Sequence, residues 1–308
     1  MKMPEPMGRL VAMRPTLQGT DVASRAADQA RDAATAAAIE IREVHDLSDI
    51  RAVSELFDRV WGSKAGDPLM APGMLRAMTH AGNYAAAAFV PGTPQTPGVN
   101  GTMIGAVTGF MGTDTDGPYL HSHILGVSDG HRGGHIGFAL KQHQRAWVLA
   151  NGMRKVTWTF DPLVRKNAFF NVQKLGAAAD EYLVRFYGTM HDDINAGDDT
   201  DRLLIAWDVD SDHVERAAAG KLDEPNVAVL REQGASVALD ENGTVDPDGW
   251  NGVVLCATPD DIVELRHRDP DGARVWRAAL RDTLGKAMDD GYRVTGFARS
   301  GWYVLERA

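Results

Sequence analysis

One cysteine in 308 residues excludes an internal disulfide, and no run approaches the ~20 uninterrupted apolar residues that a spanning helix needs. The opening MKMPEPMGRLVAMRP lacks the apolar core of a secretory signal, so the expected compartment is the reducing cytoplasm, away from any membrane. Positive charge is scarce as well. Against 42 acidic residues stand 32 Lys and Arg, and a net charge of −10 argues against a protein that holds phosphate backbones. No internal repeat, coiled coil or nucleic-acid motif is present, which leaves small molecules as the expected partners. What is there suffices for a core: 44% of the residues are hydrophobic, enough for one large domain or two modest ones. Cys256, inside the apolar run GVVLCATP, reads as a small buried hydrophobe, because no activating neighbour accompanies it.

The pattern divides the chain into three parts. Residues 1–38 form an extension, first without periodicity and then alanine-rich, so flexible or partly helical with little bulky apolar surface to dock. Residues 39–209 carry alternating strands and helices. Ile39 to Val44 has period two. Ile50, Val53, Leu56, Phe57 and Val60 make one helical stripe that Asp46 or Ser48 can cap and Gly62 ends. Tyr84 to Val90 and Met103 to Met111 form an antiparallel pair through the Pro/Gly-rich connection PGTPQTPGVNG. Tyr119 to Val127 is a strong strand, Ile136 to Ala150 a helix and Val156 to Phe160 a strand. Asn167 to Leu175 is a short helix, and Glu181 to Tyr187 and Arg202 to Val209 are strands. The sheet is therefore expected to be mixed. Residues 210–308 begin polar and then offer strands at Val227 to Leu230, Gly252 to Ala257, Arg293 to Ala298 and Trp302 to Leu305, with a helix over Pro270 to Asp289. They are either a small α/β domain or an extension of the first sheet. Trp276 and Arg277 on that helix read as packing and a surface ion pair.

Chemistry concentrates in YLHSHILGVSDGHRGGHIGFAL, Tyr119 to Leu140, where a glycine-rich turn joins a strand to a helix. Unpaired N–H groups and the dipole at a helix N-terminus favour anions, so Arg132 to Gly137 can cradle a pyrophosphate. Such turns also occur where nothing binds.

HRGGHIGFAL resembles the acyl-CoA pyrophosphate loop of GNAT acyltransferases, which runs Arg or Gln, two residues, Gly, one residue, then Gly or Ala. Arg132 and Gly137 match. His135 takes the first glycine place, with Gly133 and Gly134 just before it. WTFDPLVRKNAFFNVQKLGA is similar to the strand and helix that hold pantetheine, with Asn167, Ala168, Lys174 and Gly176 in recognisable places. Val172 stands where a tyrosine two residues before that lysine commonly serves as proton donor. YLHSHILGV, WTFDP and GYRVTGFARSGWYVLE are similar to a bacterial subfamily described as predicted acetyltransferases, some of whose relatives are associated with succinyl transfer to amino acids. The resemblance implies a mixed, mostly antiparallel α/β sheet flanked by helices, with a smaller C-terminal α/β part. It implies acyl transfer from acetyl-CoA or another acyl-CoA to the amine of a small molecule, an amino acid among the options, with no metal. Leu125, Gly126, Val127, Arg132, Gly133, Gly134, His135, Ile136, Gly137 and Asn167 would bind the coenzyme. A CoA-responsive module without turnover is the alternative, and a homo-oligomer is compatible with the sequence.

An aliphatic ammonium must lose a proton before it attacks a thioester, at a cost of roughly 4 kcal/mol at neutral pH. A positioned base lowers that obstacle. Strand alternation puts His121, His123, Leu125 and Val127 on one face, the two histidines about 6–7 Å apart and suited to a water relay. Their spacing is similar to that of the strand histidines of serotonin N-acetyltransferase, which are assigned to such a relay. A bulge near Gly126 and Val127 would aim an N–H at the thioester carbonyl. The histidines are equally legible as structural strand residues, and His-x-His as two members of a metal site whose third ligand is not evident. Tyr182 and Tyr187 read as packing or edge residues before proton donors.

Overall fold

The computed structural model describes residues 17–62, 68–92, 101–188, 198–247 and 249–307. Residues 1–16 and most of the Pro/Gly connection, 93–100, lie outside them. The first strand, β1 (Glu40–Glu43), is followed by helix α2 (Leu47–Trp61), helix α1 being Leu17–Ala36. Ile50, Val53, Leu56 and Phe57 are buried as their spacing predicts, and Gly62 ends α2 at φ 69°. Asp46 stands at the N-cap, but its side chain makes no capping bond. A helix the sequence did not announce, α3 (Pro72–His80), starts on Pro72, whose fixed φ and missing N–H suit the first turn.

Strands β2 (Tyr84–Val90), β3 (Thr102–Asp114) and β4 (Gly117–Val127) lead to α4 (Ile136–Ala150) and β5 (Lys155–Phe160). Helix α5 (Arg165–Ala168) continues as a π-helical segment, Phe169–Lys174, and Gly176 at φ 66° turns the chain into β6 (Ala178–Leu183). β6 stops at Leu183, short of the expected Tyr187, because residues 184–187 form a turn with Arg185 at φ 51°. β7 (Arg202–Asp208) completes a seven-stranded sheet in the order β1-β2-β3-β4-β5-β7-β6. Every neighbouring pair is antiparallel except β4 and β5. This is the expected mixed, mostly antiparallel sheet.

Helices α2 and α3 cover one face of β1 to β4 through Val53, Phe57, Leu75, Phe89, Ala106 and Ile124. On the other face α4 packs Ile136, Ala139 and Leu140 with Leu120, Val156, Trp158 and Phe160. Helix α1 docks on α4 in turn. Ala26 and Ala30 are buried, and Arg145 of α4 donates to Gln29 Oε1 at 2.5 Å and Val209 O at 2.8 Å. Small side chains give close approach, so alanine supplies a docking face where bulky apolar residues are missing. Arg25 adds a tie to Glu215 on α6 (Asp212–Ala218).

The remaining residues build a second sheet from β8 (Ser236–Leu239), β9 (Val254–Ala257), β10 (Tyr292–Ala298) and β11 (Trp302–Arg307), in the order β10-β11-β9-β8. Val227–Glu232, part of which reads as a strand, is helix α7; Asn226 accepts from Val229 N and caps it, and Val229 points to solvent. Helices α8 (Ile262–Arg268) and α9 (Pro270–Leu280) follow β9, and α9 runs on through a π-helical segment, Arg281–Gly285, into α10 (Lys286–Asp289). The two sheets share one continuous core, in which Gly285 approaches the Tyr182 ring so closely that an added Cβ would lie 3.3 Å from it. No helix among the described residues is long and apolar enough to cross a membrane.

Candidate active site

β4 breaks its alternation at His123. Gly109 pairs with Ser122 and Thr108 with Ile124, so His123 is the extra residue of a bulge. The bulge therefore falls three residues before the expected Gly126, and it changes which side chains share a face. His121 and His123 both lie against Phe110, with ring centroids 5.0 and 5.8 Å away. Leu125 and Val127, expected beside them, instead pack with the α4 core, while Ile124 joins the α2 cluster. Gly126 faces α2 too: a Cβ there would meet Trp61 at 2.7 Å, so the glycine lets that indole lie on the strand.

β4 and β5 are paired only at Leu120 with Val156 and His121 with Thr157. Beyond that rung they separate, leaving the β5-facing edge of Ser122 to Val127 without a strand partner among the described residues. At the opening stand the glycine turn and the first turn of α4. Ser128 Oγ bonds Ile104 O at 3.2 Å and His131 Nδ1 at 3.1 Å, and Arg132 is folded onto Asp129 at 2.8 Å. Gly133 has φ 87° and His135 φ 60°. The second value explains the glycine preference at that place, since a left-handed backbone strains a residue with a Cβ. Ile136 is buried, whereas Arg132, Gly133, Gly134 and His135 are exposed. A Cβ on Gly137 would stand 3.7 Å from Leu125 and 4.0 Å from Phe170, so α4, β4 and the α5 segment converge there. Asn167 is exposed on α5, at the β5 side of the opening.

Electrostatics favour neutral imidazoles. Burial pushes His121 down to about 4, with the neighbouring His123 and Lys141 charges adding to it, and loss of solvent lowers His123 as well, though that ring keeps more open surface. His121 Nδ1 shares a 3.0 Å hydrogen bond with Thr157 Oγ1. Behind the strand, Lys141 is buried with no carboxylate paired to it among the described residues. Its Nζ donates to Ser122 Oγ at 2.9 Å and Gln144 Oε1 at 3.0 Å and lies 3.8 Å from the Trp158 ring centre, and burial holds it well below the ordinary lysine range.

Lys141 was legible only as a cation on the buried stripe of α4. The larger omission lies after β5. Arg277, expected at the surface, is buried with Arg266 in a cluster with Asp161 and Asp198. Tyr182 is partly buried against the core and donates to Asp201 Oδ2 at 3.0 Å, which turns it away from the opening. Tyr187 is exposed and its hydroxyl shares a 3.1 Å hydrogen bond with Thr159 Oγ1, on the histidine face of β5. Cys256 is buried, as expected, and burial pushes its thiol up to about 12.

No family model matches the chain, and no curated protein does. Solved structures do. An acetyltransferase of the GNAT family from Streptococcus pneumoniae is 16% identical over 55% of this chain and 98% of its own, with a TM-score of 0.43. NAA60 from Arabidopsis thaliana, in complex with acetyl-CoA, is 16% identical over 56% of this chain and 99% of its own, with a TM-score of 0.44. An IAA acetyltransferase from Bacillus cereus is 14% identical over 55% and 97%, with a TM-score of 0.38.

Proposed function

We propose that this chain is an acyl-CoA-dependent N-acyltransferase of the GNAT type, moving an acetyl or another small acyl group such as succinyl to the amine of a small molecule. The observation that carries the reading is the parting of β4 and β5 after a single two-residue ladder, with a glycine turn and helix N-terminus at the open end. The residues present fit the coenzyme. A free strand edge over Leu125, Gly126 and Val127 can pair with the amides of pantetheine. The exposed turn from Arg132 to Gly137 offers N–H groups and open glycine surface to a pyrophosphate. Ile136 anchors that turn in the core, and Asn167 borders the opposite side.

The amine nitrogen attacks the thioester carbonyl, its proton passes to a base, the carbon–sulfur bond breaks and the CoA thiolate takes up a proton. His123 is the base in this reading. It is exposed, and among the described residues its side chain makes no hydrogen bond. His121, held neutral and tied to Thr157, is the weaker acceptor and serves the relay. Phe110 beside the histidines and Tyr187 across β5 offer exposed aromatic surface to a small acceptor.

Titration calorimetry with CoA and acetyl-CoA, followed by thiol release against a panel of amines and acyl-CoAs, tests this. A folded sample that binds neither ligand at millimolar concentration refutes it. Tight CoA binding with no turnover across the panel would instead mark a CoA-responsive module.

A further inference from the structure

The C-terminal part reaches into the frame of the cleft through a cluster of buried charges. Arg277 of α9 grips Asp161 with two prongs, Nη1 to Oδ1 at 2.8 Å and Nη2 to Oδ2 at 2.9 Å, and Arg266 of α8 adds Nη2 to Oδ2 at 2.6 Å. Both arginines also donate to Asp198 Oδ2, Arg266 at 3.1 and 3.0 Å and Arg277 at 3.3 and 3.1 Å. Both arginine side chains are 2% exposed.

The two aspartates begin the segments that border the opening on its β5 side. Asp161 follows β5 directly, and its Oδ1 also accepts from Leu163 N at 3.0 Å, shaping the turn that leads to Asn167. That turn is pinned twice more from the C-terminal part. Tyr303 donates to Pro162 O at 2.8 Å, and Arg165 donates to Thr258 O at 2.5 Å and to Asp260 at 2.7 Å. Gly301 makes room for the Arg165 guanidinium, which any added Cβ would strike. Asp198 opens the segment into β7. Arg281 holds its next members, Asp199 at 2.8 Å and Asp201 at 2.9 and 2.8 Å, and Thr200 between them accepts from Tyr187 N at 3.1 Å. Tyr187 in turn meets Thr159 at the histidine face.

Four buried charges are a costly way to join two sheets, since apolar residues of equal volume commonly do so with equal or greater stability. What charges add is fixed geometry: each guanidinium has a rigid fork that a carboxylate meets in few orientations. We propose that Arg266 and Arg277 are positioning residues of the cleft, holding Asp161 and Asp198 so that the Asn167 turn and the Tyr187 segment keep the spacing an acyl-CoA requires. The C-terminal part is then a working component of the site. This rests on the acyl-CoA reading given above.

The test uses the full chain with Arg277→Lys, which keeps the charge and loses the fork, and Arg165→Met, whose side chain is 22% exposed and outside the cluster. Thermal melts establish folding. Hydrogen exchange reads the amides of residues 163–168, and calorimetry reads CoA. Expected for each folded variant is exchange at 163–168 faster by roughly 10-fold, unchanged exchange in β1 to β3, and CoA affinity weaker by roughly 10-fold, the scale of one lost hydrogen bond. The KM for acyl-CoA rises more than kcat falls. Unchanged exchange, or faster exchange with CoA affinity within about twofold of the parent, overturns the proposal. If Arg277→Lys does not fold, Arg266→Lys, which likewise keeps the charge and loses the fork on Asp161 and Asp198, decides in its place. If the parent itself binds no CoA, the acyl-CoA reading fails, and the exchange measurement still decides whether the arginines hold the turn.

Discussion

His121 and Thr157 face each other at the last rung on which β4 and β5 pair, with Nδ1 and Oγ1 3.0 Å apart. One residue later the strands begin to part, and the next histidine occupies the bulge. The hydrogen bond thus fixes an imidazole at the point where the sheet opens, and His123 is carried beyond it on a strand segment free on one edge.

That placement gives the two histidines unequal parts. His123→Gln is expected to lower kcat/KM by about 100-fold with CoA affinity nearly intact, and His121→Gln to lower it less. Rates of both variants should partly recover at high pH, where more acceptor is already deprotonated. Steady-state kinetics with an amine of pKa near 10 checks this; unchanged rates in both single variants and the double variant would place the base elsewhere.

The contribution of His121 to stability should fall on acidification. The folded His121 titrates at about 4 against an ordinary 6.5, so between those values the unfolded chain binds a proton that the folded chain does not. His121 alone therefore makes unfolding free energy rise with pH through this window; His123 and His143, lowered in the same direction, add to the slope, and Asp208, raised to about 6 by burial and by its neighbour Asp210, works against it. Urea midpoints at pH 4.5 and 7 measure it. His121→Asn should flatten the dependence, and an unchanged slope would show that His121 titrates normally.

At φ 60° His135 occupies a backbone region that favours glycine, and its side chain makes no capping bond. His135→Gly is expected to stabilise the fold by about 0.5–1 kcal/mol, relief of strain exceeding the added freedom of the unfolded chain. A thermal melt should rise by about 1–3 °C. A fall would mean that the imidazole makes a compensating contact.

Gly137 separates stability from binding. An added methyl meets nothing closer than 3.7 Å, and alanine is the better helix residue, so Gly137→Ala should fold at least as stably as the parent. On the acyl-CoA reading the space beyond that methyl belongs to the ligand, so Gly137→Leu should lower CoA affinity by about 10-fold or more, whereas Gly137→Ala, which the resembled loop pattern admits, should bind as the parent does. Undiminished affinity in Gly137→Leu would show that the ligand does not approach the helix here.

Much of the larger sheet is readable because its strands alternate, as from Lys155 to Phe160, or run apolar without a break, as from Tyr84 to Val90, and α2 because Ile50 to Phe57 repeat at helical spacing. The bulge at His123 leaves no such mark: Ser122 and Ile124 are both buried, but on opposite faces, and alternation alone reads them as one. α7 hides because its valines suit a strand, while the Asn226 cap that makes it a helix is a single polar residue. The buried charge cluster is illegible for another reason. Arg277 lies 116 positions from Asp161, and nothing local distinguishes it from the surface arginines around it.

Cys256 has a practical consequence. Thiol reagents react with thiolate, and a buried sulfur that ionises only near pH 12 presents almost none at neutral pH. With no second cysteine in the chain, the folded protein should be silent towards a thiol-trapping dye. Coenzyme A released during turnover then registers without background, and a cysteine introduced at exposed Asn167 would accept a fluorophore at that one position, turning the edge of the cleft into a direct optical reporter of ligand arrival.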